Sequence, residues 1–389
     1  MANNQRENAR KEKKLQKKIK QKRIIWAIII VVISIIVGLK LTEINYVELG
    51  NKIQNTFTHN VEENVDNTIT LDSPNKVKMT VVNDKLNVLT DSSYTVYDTS
   101  NKSTNYTFIH GYAVPLIRTA GSYTCLYDQG GYRLRLDTNN DNEYEQTLDN
   151  RILCADVSNS GTVICATVGD NSKSKITVFS KSLKKYLEYD VSQGYVTRVA
   201  IDSSGKRCAF VAVNTKDANL ISTVYTININ NDKPIMEFEL SSANVIDLKY
   251  SNTNLYVVCD NGVSIIKNQK TIENVFDNQN LFTVNYSYTK NNKLVYVYSE
   301  YIQSVENNVA VITPNGKIKL SFNIDGKVKN VNTFSSDLSI LLDDKICTYS
   351  LSNGELKSII DCDSSVNSIV RMGSKIYLQR QQIIESYDC

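Results

Sequence analysis

One nine-residue stretch of this chain holds the oxygen donors that a hard cation uses: Asp137, Asn139, Asp141 and Glu145, in the pattern D-x-N-x-D-x-x-x-E. Carboxylate and amide oxygens at alternate positions of a short loop suit Ca²⁺. Asn142 stands where such loops carry the glycine that lets them turn sharply. An ordinary solvated hairpin turn accounts for the same residues and is the preferred reading. The expectation is therefore no cofactor, with Ca²⁺ as the one candidate ion. The corresponding stretches Asp98–Tyr106 and Asn228–Pro234 are polar but lack the full donor set.

Catalytic chemistry finds little to work with. The chain has two histidines, His59 and His110, and none of the patterns H-E-x-x-H, G-x-S-x-G, G-x-x-x-x-G-K-[ST] or G-x-G-x-x-G. Ser-x-x-Lys spacings occur at Ser172/Lys175 and Ser182/Lys185, as expected by chance in a chain this rich in both residues. Carboxylates are plentiful but scattered, which leaves a paired-acid glycosidase open and names no pair. The expectation leans away from an enzyme.

Eight cysteines fall between Cys125 and Cys389, and no two form a C-x-x-C pair, so a zinc site is not expected. An even count in an oxidising compartment suggests disulfides. Spacing argues for packing instead. Cys125, Cys165, Cys208 and Cys259 each fall three to five residues after a polar turn, inside the following strand. Free cysteine packs there as a small hydrophobe, and a domain of this size has core enough without staples. The best candidate bridge is Cys154–Cys165, placed on one face of a predicted hairpin.

The elements that position these residues repeat. From Lys78 onward, short Val-, Ile-, Tyr- and Thr-rich runs alternate with Asn, Asp, Ser and Gly breaks, as in RILCADVSNSGTVICATV and YVTRVAIDSSGKRCAFVAV. The first turns of successive units centre near Asp84, Gly121, Gly161, Gly205, Asn254, Asn292, Asp337 and Gly373, at intervals of 36 to 49 residues. A period near 40 with about four strands per unit predicts an all-β fold, a β-propeller. Eight blades are favoured over residues 67–389, and seven remain open. The last unit supplies only three strands, so Asn67–Leu71 is expected to complete it and close the ring.

An apolar block, IIWAIIIVVISIIVGL, follows a 23-residue start with ten Lys and Arg. Its length and flanks predict one transmembrane α-helix over 24–44. The charge asymmetry places residues 1–23 in the cytoplasm as a basic tail, with 45–66 a stalk and the propeller outside the cell membrane. That tail is net +8 and the whole chain +3, so the remainder is −5. No nucleic-acid partner is expected, whereas anionic lipid headgroups near the tail are.

The units resemble WD40 or quinoprotein-type blades, with Ser203–Gly205 where those repeats carry a polar turn. They lack the Trp-Asp dipeptide, since the only tryptophan is Trp26. The donor pattern Asp137–Glu145 resembles the calcium loops of some other propellers. The whole layout resembles a family of single-pass membrane proteins of Gram-positive bacteria with a divergent propeller ectodomain, a resemblance that implies no activity. Function is accordingly expected to be a membrane-anchored binding or scaffold module for a protein or cell-surface glycan at a propeller face. The alternative is an extracellular hydrolase or lyase acting on cell-envelope polymer. Tyr112, Tyr123, Tyr127, Tyr132, Tyr144 and Tyr195 are candidate contact residues, with strand filler the preferred reading.

Overall fold

Alternating strands with polar breaks build sheets, and here they build eight. A computed structural model describes residues 68–231, 234–241, 243–276 and 281–389. The expected tail (1–23), membrane helix (24–44) and stalk (45–66) lie outside the described residues, within which no helix is long and apolar enough to cross a membrane. The strands form eight four-stranded antiparallel sheets, each a blade of a β-propeller. Blades 1 to 7 cover 78–109, 115–147, 152–191, 195–241, 245–274, 282–325 and 330–361, each with four consecutive strands. Blade 8 takes three strands from 366–388 and its fourth from Thr68–Thr70. The register is Thr68↔Glu385, Ile69↔Ile384 and Thr70↔Ile383. Eight blades and the expected closure by the chain's two ends are both present.

Each blade's first strand is innermost, and these strands contact one another around the axis. All eight first turns place at least one residue at positive φ. Glycine takes the position at Gly121, Gly161, Gly205 and Gly373, and Asn83, Asn252, Asn292 and Ser335 take it elsewhere. In blades 5 and 7 the turn sits two residues earlier than expected, so Asn254 and Asp337 begin the second strand. Gly205 is required twice over. Its φ is +69°, and a Cβ there would lie 2.5 Å from Thr162 Oγ1 of blade 3. Asp202 fixes the same turn by accepting from the Lys206 and Arg207 amides at 2.8 and 3.1 Å.

Burial divides into eight apolar clusters, one in each seam between neighbouring blades. Period-two alternation produces this, because successive side chains of a strand face opposite seams. In the second strand of blade 3, Val163 and Cys165 pack toward blade 2, whereas Ile164 and Ala166 pack toward blade 4. Cys125, Cys165, Cys208 and Cys259 all lie in second strands and are buried in seams as free thiols, as their spacing implied. The expected Cys154–Cys165 bridge is overturned. A bulge after Ile152 sets Cys154 opposite Ala166 and Ala155 opposite Cys165. The two thiols therefore face different seams.

Candidate functional site

An eight-bladed ring surrounds a central channel, and the inner strands put charge into it. Blade 1 contributes Lys78, blade 2 Arg118, blade 3 Asp156, blade 4 Arg198, and blade 5 both Asp247 and Lys249. Arg118 reaches across the axis to Asp247, Nη2 to Oδ1 at 3.4 Å. The second oxygen of Asp247 accepts from the Tyr288 hydroxyl of blade 6 at 3.0 Å. Asp156 accepts from the Ile201 amide at 3.1 Å, and Arg198 Nε donates to the Ile246 carbonyl at 2.6 Å. These bonds satisfy backbone groups that splayed inner strands leave unpaired. Blades 7 and 8 use the same device, with Asn330 and Asn332 accepting from the Ile369 and Arg371 amides at 3.2 and 3.0 Å.

The electrostatics follow from that arrangement. Burial lowers the Lys78 ammonium below its ordinary pKa, the nearby Arg118 lowers it further, and Asp247 opposes both. The Arg118 side chain keeps 40% of its surface accessible although protein surrounds it, which describes a wall of a wet channel. Burial raises the Asp156 carboxyl, against the pull of Lys249 and Arg118. Each carboxylate here is already engaged by a cation, a hydroxyl or an amide. The sequence carried a signal for this site. Asp247 and Lys249 break the apolar alternation of VIDLKYS on one side of the strand, and Arg118 does so in PLIRTA.

The four expected cation ligands are not brought together. Arg135 Nε donates to both oxygens of the buried Asp137 at 2.9 Å, and its Nη1 donates to Glu145 at 3.1 Å. Its guanidinium lies 3.7 Å from the Phe108 ring centroid and also donates to the Tyr106 hydroxyl. Asn139 turns its amide to the Val82 carbonyl of blade 1 at 2.6 Å, and Asp141 accepts from the Asn142 amide at 2.8 Å. An arginine supplies the positive charge between Asp137 and Glu145. Among the described residues, no three His, Cys, Asp or Glu side chains group as a metal site. Beside this stack, His110 is buried, its ring 4.8 Å from that of Tyr112, and its Nδ1 accepts the Tyr112 amide at 3.3 Å. His59 lies outside the described residues. Ser172 and Lys175 make separate contacts, with Asp190 at 3.2 Å and Glu188 at 3.2 Å. A cleft of about 270 Å³ between blades 2 and 3 includes Asp170, Lys175, Lys185 and Glu188. Its Glu188 is already held between Lys175 and Lys185 at 3.2 and 2.8 Å.

Antiparallel order sends the second-to-third-strand loops and the links between blades to one face of the ring. The remaining turns open on the other face. On the first face, the blade 6 loop after Ser299 presents Tyr301, Ile302 and Val305 at 72%, 71% and 60% exposure. Val114, Tyr132 and Tyr195 are exposed on the same face. Of the tyrosines singled out in the sequence, Tyr112, Tyr127 and Tyr144 are buried filler and Tyr123 is half-buried. The Tyr301 loop has no periodic signal, so sequence reading passed over it.

Comparison with known proteins gives a family and a fold. A family model described as "Family of unknown function (DUF5711)" matches residues 55–386. No curated protein matches. Among solved structures, the C-terminal WD40 domain of Sif2 is similar at 12% identity and TM-score 0.56, over 84% of this chain and 99% of that one. BamB from Moraxella catarrhalis is similar at 12% identity and TM-score 0.50, over 83% and 98%. The computationally designed Ika8 protein is similar at 12% identity and TM-score 0.59, over 82% and 98%. At such identities these likenesses speak for the fold alone.

Proposed function

The chain belongs to the family of unknown function DUF5711, and on that footing we propose that it is a binding or scaffold module whose propeller docks a partner protein. The observation that carries this reading is the Tyr301–Val305 loop, three large apolar side chains held in water on one face of the ring. Exposed apolar area costs about 25 cal/mol per Å² relative to burial, and a cluster of it rimmed by polar residues marks an interaction surface. Aliphatic Ile302 and Val305 beside Tyr301 favour a protein over a glycan, because branched aliphatic area matches apolar side chains better than sugar hydroxyls. The hydrolase or lyase alternative draws less support, because the channel carboxylates Asp156 and Asp247 are committed to amide, hydroxyl and cation partners. In this reading residues 1–23 stay in the cytoplasm near anionic headgroups, 24–44 anchor the chain, 45–66 form a stalk and the propeller works outside. The ten basic residues before the apolar block support that orientation.

The test uses a photo-crosslinking residue at position 302 of the full chain in its native membranes, with position 315 on the opposite face as reference. A discrete adduct from 302, absent from 315 and lost with Tyr301→Asp, is the expected outcome. Equal labelling from both faces, or none from 302, overturns the docking face.

A further inference from the structure

We propose that the central channel is a binding site for a small multivalent oxyanion, held between Lys78 of blade 1, Arg118 of blade 2 and Lys249 of blade 5. The inference is independent of the docking face. Six charged side chains from five neighbouring inner strands enter this part of the channel: Lys78, Arg118, Arg198 and Lys249 against Asp156 and Asp247. Positive charge exceeds negative by two. Both carboxylates are occupied, Asp247 by Arg118 and Tyr288, and Asp156 by the Ile201 amide. Arg198 spends its guanidinium on the Ile246 and Thr197 carbonyls at 2.6 and 2.7 Å. The side chains of Lys78 and Lys249 make no hydrogen bond or ion pair among the described residues.

Neither ammonium touches a counter-ion, although Asp247 acts on Lys78 and Asp156 on Lys249 at longer range, and the group keeps its excess of two positive charges. Low-dielectric walls focus their field, and that field attracts anions. Burial is the larger cause of the lowered Lys78 pKa, and the nearby Arg118 adds to it. An oxyanion suits the donor set, since a guanidinium and two ammoniums supply several charged N–H donors. Size is limited too. Arg118 and Asp247 meet across the channel at 3.4 Å, a contact that bars a polymer strand from threading past it.

The experiment measures inorganic phosphate binding to the full chain by calorimetry, together with its thermal midpoint across a phosphate series at fixed ionic strength. A saturable heat and a saturable rise in midpoint are expected. Lys78→Gln and Lys249→Gln should each weaken phosphate by about tenfold or more, the worth of one charge-assisted hydrogen bond. Lys290→Gln, on an exposed turn, should change nothing. Arg118→Gln also breaks the tie to Asp247 and risks the fold, so the decision rests on the two lysines, whose side chains hold no structural bond. A response to phosphate no larger than to chloride at equal ionic strength overturns the site. So does unchanged phosphate affinity in both lysine variants.

Discussion

Cys208 has none of its surface exposed in the seam between blades 3 and 4, and burial pushes its thiol up to about 12. A thiol so placed is un-ionised at neutral pH and inert. An alkylating agent added to the folded protein should therefore modify the exposed Cys389 first, and the buried cysteines only on unfolding. In denaturant without reductant all eight should react, and disulfides found by mass spectrometry would refute this. Replacing Cys208 by Leu should cost about 1–3 kcal/mol through overpacking, and replacing it by Ala less. His110 makes the pH prediction. Burial lowers its pKa, and Arg133 adds to the effect while Asp72 opposes it. A folded pKa below the unfolded 6.5 means stability is complete above that value and declines as pH falls. Asp137 acts in the opposite sense. Burial raises it to about 6 against Arg135, so its contribution is greatest at low pH and is lost as pH rises through about 6. Comparing His110→Gln with the parent across pH 7 to 5 isolates the histidine. The variant's midpoint should fall less on acidification, and parallel curves would exclude the role.

At the scale of elements, ring closure depends on a strand of three residues. Thr68–Thr70 covers the edge of the last strand, and Ile384 beneath it is fully buried in the seam that also holds Leu86 and Val88 of blade 1. A chain beginning at Val61 should fold with its full thermal midpoint. One beginning at Pro74 should melt several degrees earlier or aggregate, because the edge and the seam both open. Removing Ile383–Cys389 deletes an entire strand of blade 8 and should do at least as much. If both truncations melt like the longer chain, the pairing of the two ends contributes nothing. The Tyr301 loop should behave in the reverse manner, with Ile302→Asp leaving stability within about 0.5 kcal/mol while abolishing the proposed docking.

Across the whole molecule, the tie between Arg118 and Asp247 links blades 2 and 5, which are not neighbours in the ring. Arg118 is partly solvated, so its pairing is worth less than that of a fully buried ion pair. A double-mutant cycle of Arg118→Leu and Asp247→Leu should return a coupling of about 1 kcal/mol, and a value near zero would make the contact incidental. The proposed topology has its own test. Protease applied to intact cells or protoplasts should remove the propeller and spare the basic tail, and full protection of the propeller would reverse the orientation.

The repeat, the number of blades, the strand that closes the ring and the positions of the seam cysteines were legible in the sequence. Each rests on local chemistry: period-two alternation, turn residues near every 40 positions, and a last unit short of one strand. What the sequence alone misplaced depends on geometry between segments distant in the chain. Cys154 and Cys165 read as one face of a hairpin until a single bulged residue sent them to opposite seams. Asp137 to Glu145 left a cation loop open beside the preferred hairpin turn, and spacing gave no sign that Arg135, two residues before Asp137 on the same face of its strand, brings the positive charge itself. Arg118 and Asp247 are 129 residues apart, and no spacing rule joins them. Only closure of the ring sets those strands across one channel, because which inner-strand side chains converge depends on the arrangement of all eight blades, while each strand's own pattern depends on its neighbours alone.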